Sequence, residues 1–171
     1  EEGLYMFKVN DVVMYASYGV CEIAAIEEKD FSGENVEYYI LRPISDSRNT
    51  FYVPTNKEAL TQQMRRVYTK SEVEELIKAI PDAKLINIDD DSQRKEKFRE
   101  IISGGDREEL IRLIKTLFSR RQELAQHNKR LRAADEKFLN DAENMLHDEF
   151  AYALGIKKDE VISYIRSHTQ V

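Results

Sequence analysis

Three histidines, one cysteine and one run of three adjacent carboxylates are the residues of this 171-residue chain that first suggest catalysis or metal binding. His127, His147 and His168 lack the spacing of metal ligands. His127 and His147 lie twenty positions apart on two predicted helices and can in principle meet; solvent-exposed histidines are the competing reading. Cys21 lies in an apolar stretch with no basic neighbour, which suits an inert buried thiol better than a nucleophile. As the single cysteine it leaves no intramolecular disulfide. Asp89-Asp90-Asp91 is one acidic run, whereas a cation site draws ligands from several positions; a solvated linker is expected there. Gly104-Gly105 lacks the Lys-Ser/Thr of a phosphate loop. No catalytic, metal or cofactor site is expected, and the chain is not read as an enzyme.

The remaining chemistry is charge. The net charge of −6 and a pI near 5.2 argue, taken alone, against nucleic acid, since DNA binding rests on cationic contacts to phosphate. The average hides a basic segment. Between Ser92 and Arg132 there are twelve Lys or Arg and six Asp or Glu, a local +6 that leaves −12 elsewhere. Arg94, Lys95, Lys97 and Arg99 crowd the start of one predicted helix. Arg107, Arg112 and Lys115 are spread along the next, and Arg120, Arg121, Lys129, Arg130 and Arg132 gather at its far end. Residues three or four apart share a helix face, so Arg94 with Lys97, and Lys129 with Arg132, can project together toward phosphates without reading bases. The alternative is a solvated surface laced with intrahelical pairs, such as Glu108 with Arg112.

Two textures position these residues. Up to residue 68 the apolar residues come in short β-branched and aromatic blocks: Val12–Tyr15, Val20–Lys29, Val36–Arg42, Thr50–Val53 and Met64–Tyr68. Turn signals separate them at Ser17-Tyr18-Gly19, Ser32–Asn35 and Asp46–Asn49. This spacing predicts a small antiparallel barrel or strongly bent sheet. After Tyr68 the period becomes helical. Ser71 with Glu74 resembles a capping box for a helix through Ile80 that stops at Pro81. Asp91 or Ser92 caps a second helix ended by Gly104-Gly105, and Asp106 caps a long third. A fourth starts near Ala133 with Gly155 as its C-cap, and a short last helix holds Val161, Ile162 and Ile165. The stripes predict a compact bundle. No apolar run approaches the ~20 residues of a membrane helix. No secretory leader is visible, with Met6 a candidate start, so a cytoplasmic protein is expected.

Tyr39, Ile40, Leu41, Phe51, Tyr52 and Val53 supply more large apolar side chains than a small sheet plainly requires. An exposed edge strand among them can accept a strand from a partner; the alternative is that they fill the core.

The order of these features resembles the CarD/CdnL family. Met6-Phe7-Lys8-Val9-Asn10-Asp11-Val12-Val13-Met14-Tyr15 followed by Gly19-Val20 is similar to the family's opening. The likeness continues through Ala25-Ile26-Glu27, Gly33-Glu34, Glu37-Tyr38-Tyr39, Val53-Pro54, Arg94, Ser103-Gly104-Gly105-Asp106 and Leu117-Phe118-Ser119-Arg120-Arg121, and so covers Met6 to about Leu154. It implies an α+β protein of two domains: a small Tudor-like antiparallel β barrel over residues 1–68, then a helical bundle over residues 69–171. The first domain is implied to bind the RNA polymerase β subunit; a related domain occurs in the transcription-repair coupling factor. The second is implied to contact promoter DNA near the upstream edge of the −10 region and to stabilise the open complex. Asn10 replaces the usual Gly, and Ala16-Ser17-Tyr18 stands where Pro-x-His is common. Asp91 occupies the position at which many members carry a tryptophan that wedges into the minor groove. A shifted alignment would offer Ile86 or Ile88 as a smaller wedge.

The expected polymerase-binding residues are Lys29, Phe51, Tyr52 and Val53; Lys29 matches a basic family position and Tyr52 replaces another. The expected DNA-binding residues are Arg94, Lys95, Lys97, Arg99, Arg120, Arg121, Lys129, Arg130 and Arg132. The competing reading is an adaptor that binds polymerase without touching DNA. A monomer is expected, with a domain-swapped dimer as the alternative.

Overall fold

The computed structural model describes residues 7–15 and 18–169. The candidate start at Met6 and the Ala16-Ser17 pair lie outside these residues. The chain forms two compact units, residues 1–67 and residues 68–171.

The first unit is an antiparallel sheet. Strands β1 (Val12–Tyr15), β2 (Val20–Asp30), β3 (Asn35–Pro43), β4 (Phe51–Pro54) and β5 (Met64–Arg66) run in the order β4-β3-β2-β1-β5. Among the described residues the pairings leave β4 and β5 as the edges. β2 and β3 form a long hairpin in register from Asp30↔Asn35 to Cys21↔Pro43, with a bulge between Ile23 and Ala25. Its turn takes Gly33 at φ 89°, a conformation open to glycine, and the Gly33 N–H donates to Asp30 Oδ1 at 2.6 Å. Strand alternation turns Val13, Cys21, Ile23, Tyr39, Leu41, Val53 and Met64 into one buried cluster. Cys21 is buried there, as its apolar surroundings require. A single helical turn, α1 (Glu58–Thr61), lies between β4 and β5, where no element was expected.

The second unit is helical: α2 (Lys70–Ala79), α3 (Asp91–Gly104), α4 (Arg107–Gln126), α5 (Ala133–Leu154) and α6 (Val161–Thr169). The α2 cap lies two residues earlier than expected. Thr69 accepts from the Glu72 N–H at 3.2 Å, and Glu72 accepts from the Thr69 N–H at 2.8 Å. Asp90 rather than Asp91 or Ser92 caps α3, accepting from the Gln93 N–H. Gly105 and Gly155 end α3 and α5 in the left-handed region, and Asp106 caps α4.

Helices α4 and α5 are central because each has two apolar faces. Leu110, Leu113, Leu117, Leu139 and Met145 pack with Phe98 and Ile101 of α3. Ile111, Leu146 and Phe150 pack with Val73 and Ile77 of α2 and Val161 of α6. The segment between α2 and α3 is not a free linker. Lys115 Nζ donates to the carbonyls of Ile80, Pro81 and Ala83 at 2.7–3.0 Å. Arg112 Nε donates to Lys84 O, and Thr116 Oγ1 accepts from the Ile86 N–H, each at 2.9 Å. Ile86 enters the core and Ile88 packs against it, so neither is presented as an apolar wedge.

The bundle also buries a charge pair. Glu149 of α5 is 0% exposed and Arg107 of α4 is 2% exposed. Arg107 Nε donates to Glu149 Oε1, and a second guanidinium nitrogen donates to Gly105 O. The Tyr68 N–H donates to Glu149 Oε2 at 3.3 Å. Removing one partner leaves an uncompensated buried charge, which costs ~3–5 kcal/mol. Glu149→Ala should lower the unfolding free energy by about that amount in urea titrations, and a loss below about 1 kcal/mol would show the pair to be dispensable.

Candidate partner and nucleic-acid interfaces

In the sheet unit, strand alternation sorts the aromatic residues onto opposite faces. Tyr39, Leu41 and Val53 face the core, with Val53 fully buried. Phe51 is half-buried and packs on Tyr18 at 4.4 Å and Tyr15 at 6.0 Å between ring centroids. Tyr38 and Tyr52 take the other face, because Tyr38 pairs Pro54 and Ile40 pairs Tyr52. Phe31 from the hairpin turn meets them edge-on, 5.3 Å from Tyr38 and 5.1 Å from Tyr52. Phe31 is 61% and Tyr52 44% exposed.

Lys29 lies on the same side. Its ammonium contacts Glu27 at 2.7 Å, which raises its pKa, with a smaller push from Tyr52. Of the four expected polymerase-binding residues, Lys29 and Tyr52 therefore share an exposed face. Phe51 lies half-covered on the opposite face, and the Val53 side chain is inaccessible. Phe31 and Tyr38 join this face without being among the residues that the sequence singles out for polymerase binding. The period of two was sufficient to find Tyr38, since neighbours of a core-facing Tyr39 must point outward. No local pattern signals Phe31, which reaches the cluster through the turn.

The β4 backbone is also accessible. The Thr55 N–H donates to Glu37 O at 3.0 Å, which sets the phase of the ladder. Residues 51, 53 and 55 bond to β3, while Tyr52 turns its N–H and carbonyl outward. Pro54 has no N–H, so any added strand must be short.

In the helical unit, the cations divide by partner. Arg94, expected on the DNA surface, is buried. It contacts Asp91 at 2.7 Å and Asp135 at 3.3 Å, and Asp135 is itself 1% exposed. The cause is position: Arg94 is one turn from the cap and four residues before buried Phe98, hence on the inner face. Lys95 pairs Asp91, Arg99 pairs Glu96, Arg121 pairs Glu136 and Arg132 pairs Asp91. Arg121 also lies over the Phe118 ring at 5.2 Å. Among the described residues, Lys97, Arg120, Lys129 and Arg130 have no ion-pair partner.

The ion pairs bring the end of α4, the 127–132 loop and the first turns of α3 and α5 to one end of the unit. Nearby carboxylates respond to this field. Burial raises the Glu143 carboxyl, opposed by Arg121 and reinforced by Glu136. Asp91 is held below the usual carboxylate range by the hydrogen bond and charge of Lys95, then by Arg94 and Arg132.

The histidines do not form a site. His127 and His168 are exposed. His147 is half-buried, on the wall of an open apolar groove of about 340 Å³ with Ile114, Phe118 and Ile165. Burial, then Lys158, lowers its pKa. Among the described residues no group of three or more His, Cys, Asp or Glu is placed to hold a metal. No helix among them is long and apolar enough to cross a membrane.

Comparison with known proteins covers both units. The CarD-like/TRCF RID domain matches residues 7–68, and the CarD C-terminal domain matches residues 75–166. The candidate transcription factor YdeB of Bacillus subtilis is 27% identical over 159 residues, spanning 93% of this chain and 99% of that protein.

The burial of Arg94 separates a structural role from a surface one. Arg94→Ala strands Asp135 and should cost ~3 kcal/mol of stability. Arg94→Met with Asp135→Leu, which removes both charges, should recover most of that loss in thermal melts. Equal destabilisation by the single and double variants would show the pair not to be the cause.

Proposed function

The chain belongs to the CarD family of transcription regulators, and from that premise we propose that it binds the RNA polymerase β subunit and stabilises promoter open complexes. The sheet unit, read as a Tudor-like barrel, supplies the polymerase contact. The helical unit supplies weak, sequence-independent contacts to DNA near the upstream edge of the −10 region. The observation that carries this reading is the exposed cluster of Phe31, Tyr38 and Tyr52 beside Lys29. Partly exposed aromatics with few rotatable bonds are the composition of an interface anchor, and the outward Tyr52 backbone offers a short strand-addition site. Phe51 and Val53 support that edge from behind.

DNA contact is assigned first to Lys97, Arg120, Lys129 and Arg130, with Arg99 and Arg121 adding partly neutralised charge. Four unpaired cations suit modest affinity with strong salt dependence. The second reading, an adaptor without DNA contact, is favoured by the number of cations already engaged within the fold and by the net charge of −6. The protein is proposed to act as a monomer in the cytoplasm.

Two measurements test the halves separately. Phe31→Ala with Tyr52→Ala should weaken capture by the isolated β-subunit lobe about 10- to 30-fold, with the melting temperature retained. Unchanged capture would remove this face as the polymerase contact. Arg120→Glu with Arg130→Glu should shorten open-complex lifetime on a bacterial polymerase and leave lobe capture intact. An unaltered lifetime would transfer the assignment to the adaptor reading.

A further inference from the structure

At the start of α3 a single carboxylate gathers three cations from two segments. Asp91 contacts Arg94 at 2.7 Å, Lys95 at 2.9 Å and, from the loop before α5, Arg132 at 3.5 Å. The fold does not depend on this carboxylate for its usual duties. Asp90 caps the helix, and Asp135 also holds Arg94. Lys95 and Arg132 have no other ion-pair partner among the described residues. The Arg132 side chain is 69% exposed and that of Asp91 43%. Cationic N–H groups converging on one anionic oxygen pair at the N-terminus of a helix are what a backbone phosphate would meet.

We propose that Asp91 occupies, as an internal stand-in, a DNA backbone phosphate subsite built by Lys95 and Arg132, and thereby holds the DNA affinity of the helical unit low. This rests on the DNA-contacting reading above and adds a residue that sets its strength. Exposed ion pairs are weak, so Lys95 and Arg132 can exchange the Asp91 carboxylate for a phosphate when a duplex is presented. Asp91 then repels the phosphate it competes with, so the subsite contributes less than its two cations would alone.

The test is fluorescence anisotropy of the full chain on labelled fork-junction DNA across a salt series. Asp91→Asn should bind at least about fivefold tighter at low salt. Its log–log salt slope should steepen by about one, at roughly 0.9 per phosphate neutralised. Asp89→Asn makes the same charge change without breaking an ion pair, and should alter affinity less than about twofold. Arg132→Ala should hardly affect the wild type, but should remove most of the gain in the Asp91→Asn background, a coupling that distant sites do not show.

The proposal is overturned if Asp91→Asn binds no tighter, or if Asp89→Asn matches it, since general charge then suffices. It is likewise overturned if Arg132→Ala weakens the wild type as strongly as it weakens Asp91→Asn, since Arg132 is then already free. Should Asp91→Asn fail to fold, Arg132→Ala in the wild type decides alone: a change below about twofold upholds the proposal, and a loss of about fivefold or more overturns it. Wild-type binding with Asp91→Asn unchanged sinks this inference alone. Absence of DNA binding by both at the lowest salt sinks the DNA reading with it.

Discussion

Glu149 lies on α5 with none of its surface exposed, and a carboxylate there is tolerable because Arg107 reaches it from the first residue of α4. An ion in this setting must be paired and hydrogen-bonded or it unfolds its surroundings. The pair is satisfied from several sides: Arg107 also donates to Gly105 at the end of α3, and Glu149 accepts from Tyr68, which opens the helical unit. It fixes how α4 starts against α5, and the apolar faces of both helices follow from that register. A Cβ on Gly105 would come within 3.3 Å of the Arg107 guanidinium, and its φ is 67°. Glycine at that position thus serves both the helix end and the ion pair.

The same physics limits the surface. Arg94 and Arg107 are buried with carboxylates, while Arg112 and Lys115 bind the chain between α2 and α3. A local charge of +6 therefore overstates the positive field available to a polyanion. Of the expected DNA-binding cations, those left without an ion pair among the described residues are Lys97 on α3, Arg120 on α4, and Lys129 and Arg130 in the loop that follows. Charge counted along a sequence measures composition; charge available to a ligand is what remains after internal pairing.

In the sheet unit, alternation does the sorting. A run such as Glu37-Tyr38-Tyr39-Ile40-Leu41 looks uniformly apolar, yet it presents Tyr39 and Leu41 to the core and Tyr38 to the Phe31–Tyr52 cluster. The edge position of β4 leaves Tyr52 both its ring and its backbone groups outward, and Pro54 limits how far a partner strand could extend.

The sequence by itself determined the strand blocks, the helical stripes and the stops at Gly105 and Gly155, because these follow from periodicity and local backbone preference. It also carried the family, through the order of loose motifs. The cap positions shifted by one or two residues because neighbouring Thr, Ser and Asp residues compete for the same orphan amides, and packing chooses among them. Tertiary structure alone decided which arginines are buried, that Val53 is inaccessible, and that Phe31 joins Tyr38 and Tyr52. It likewise decided that Asp91 meets Arg132, forty-one positions away. Those facts depend on which faces meet across the chain, and a pairing between remote segments leaves no mark in the local pattern of either.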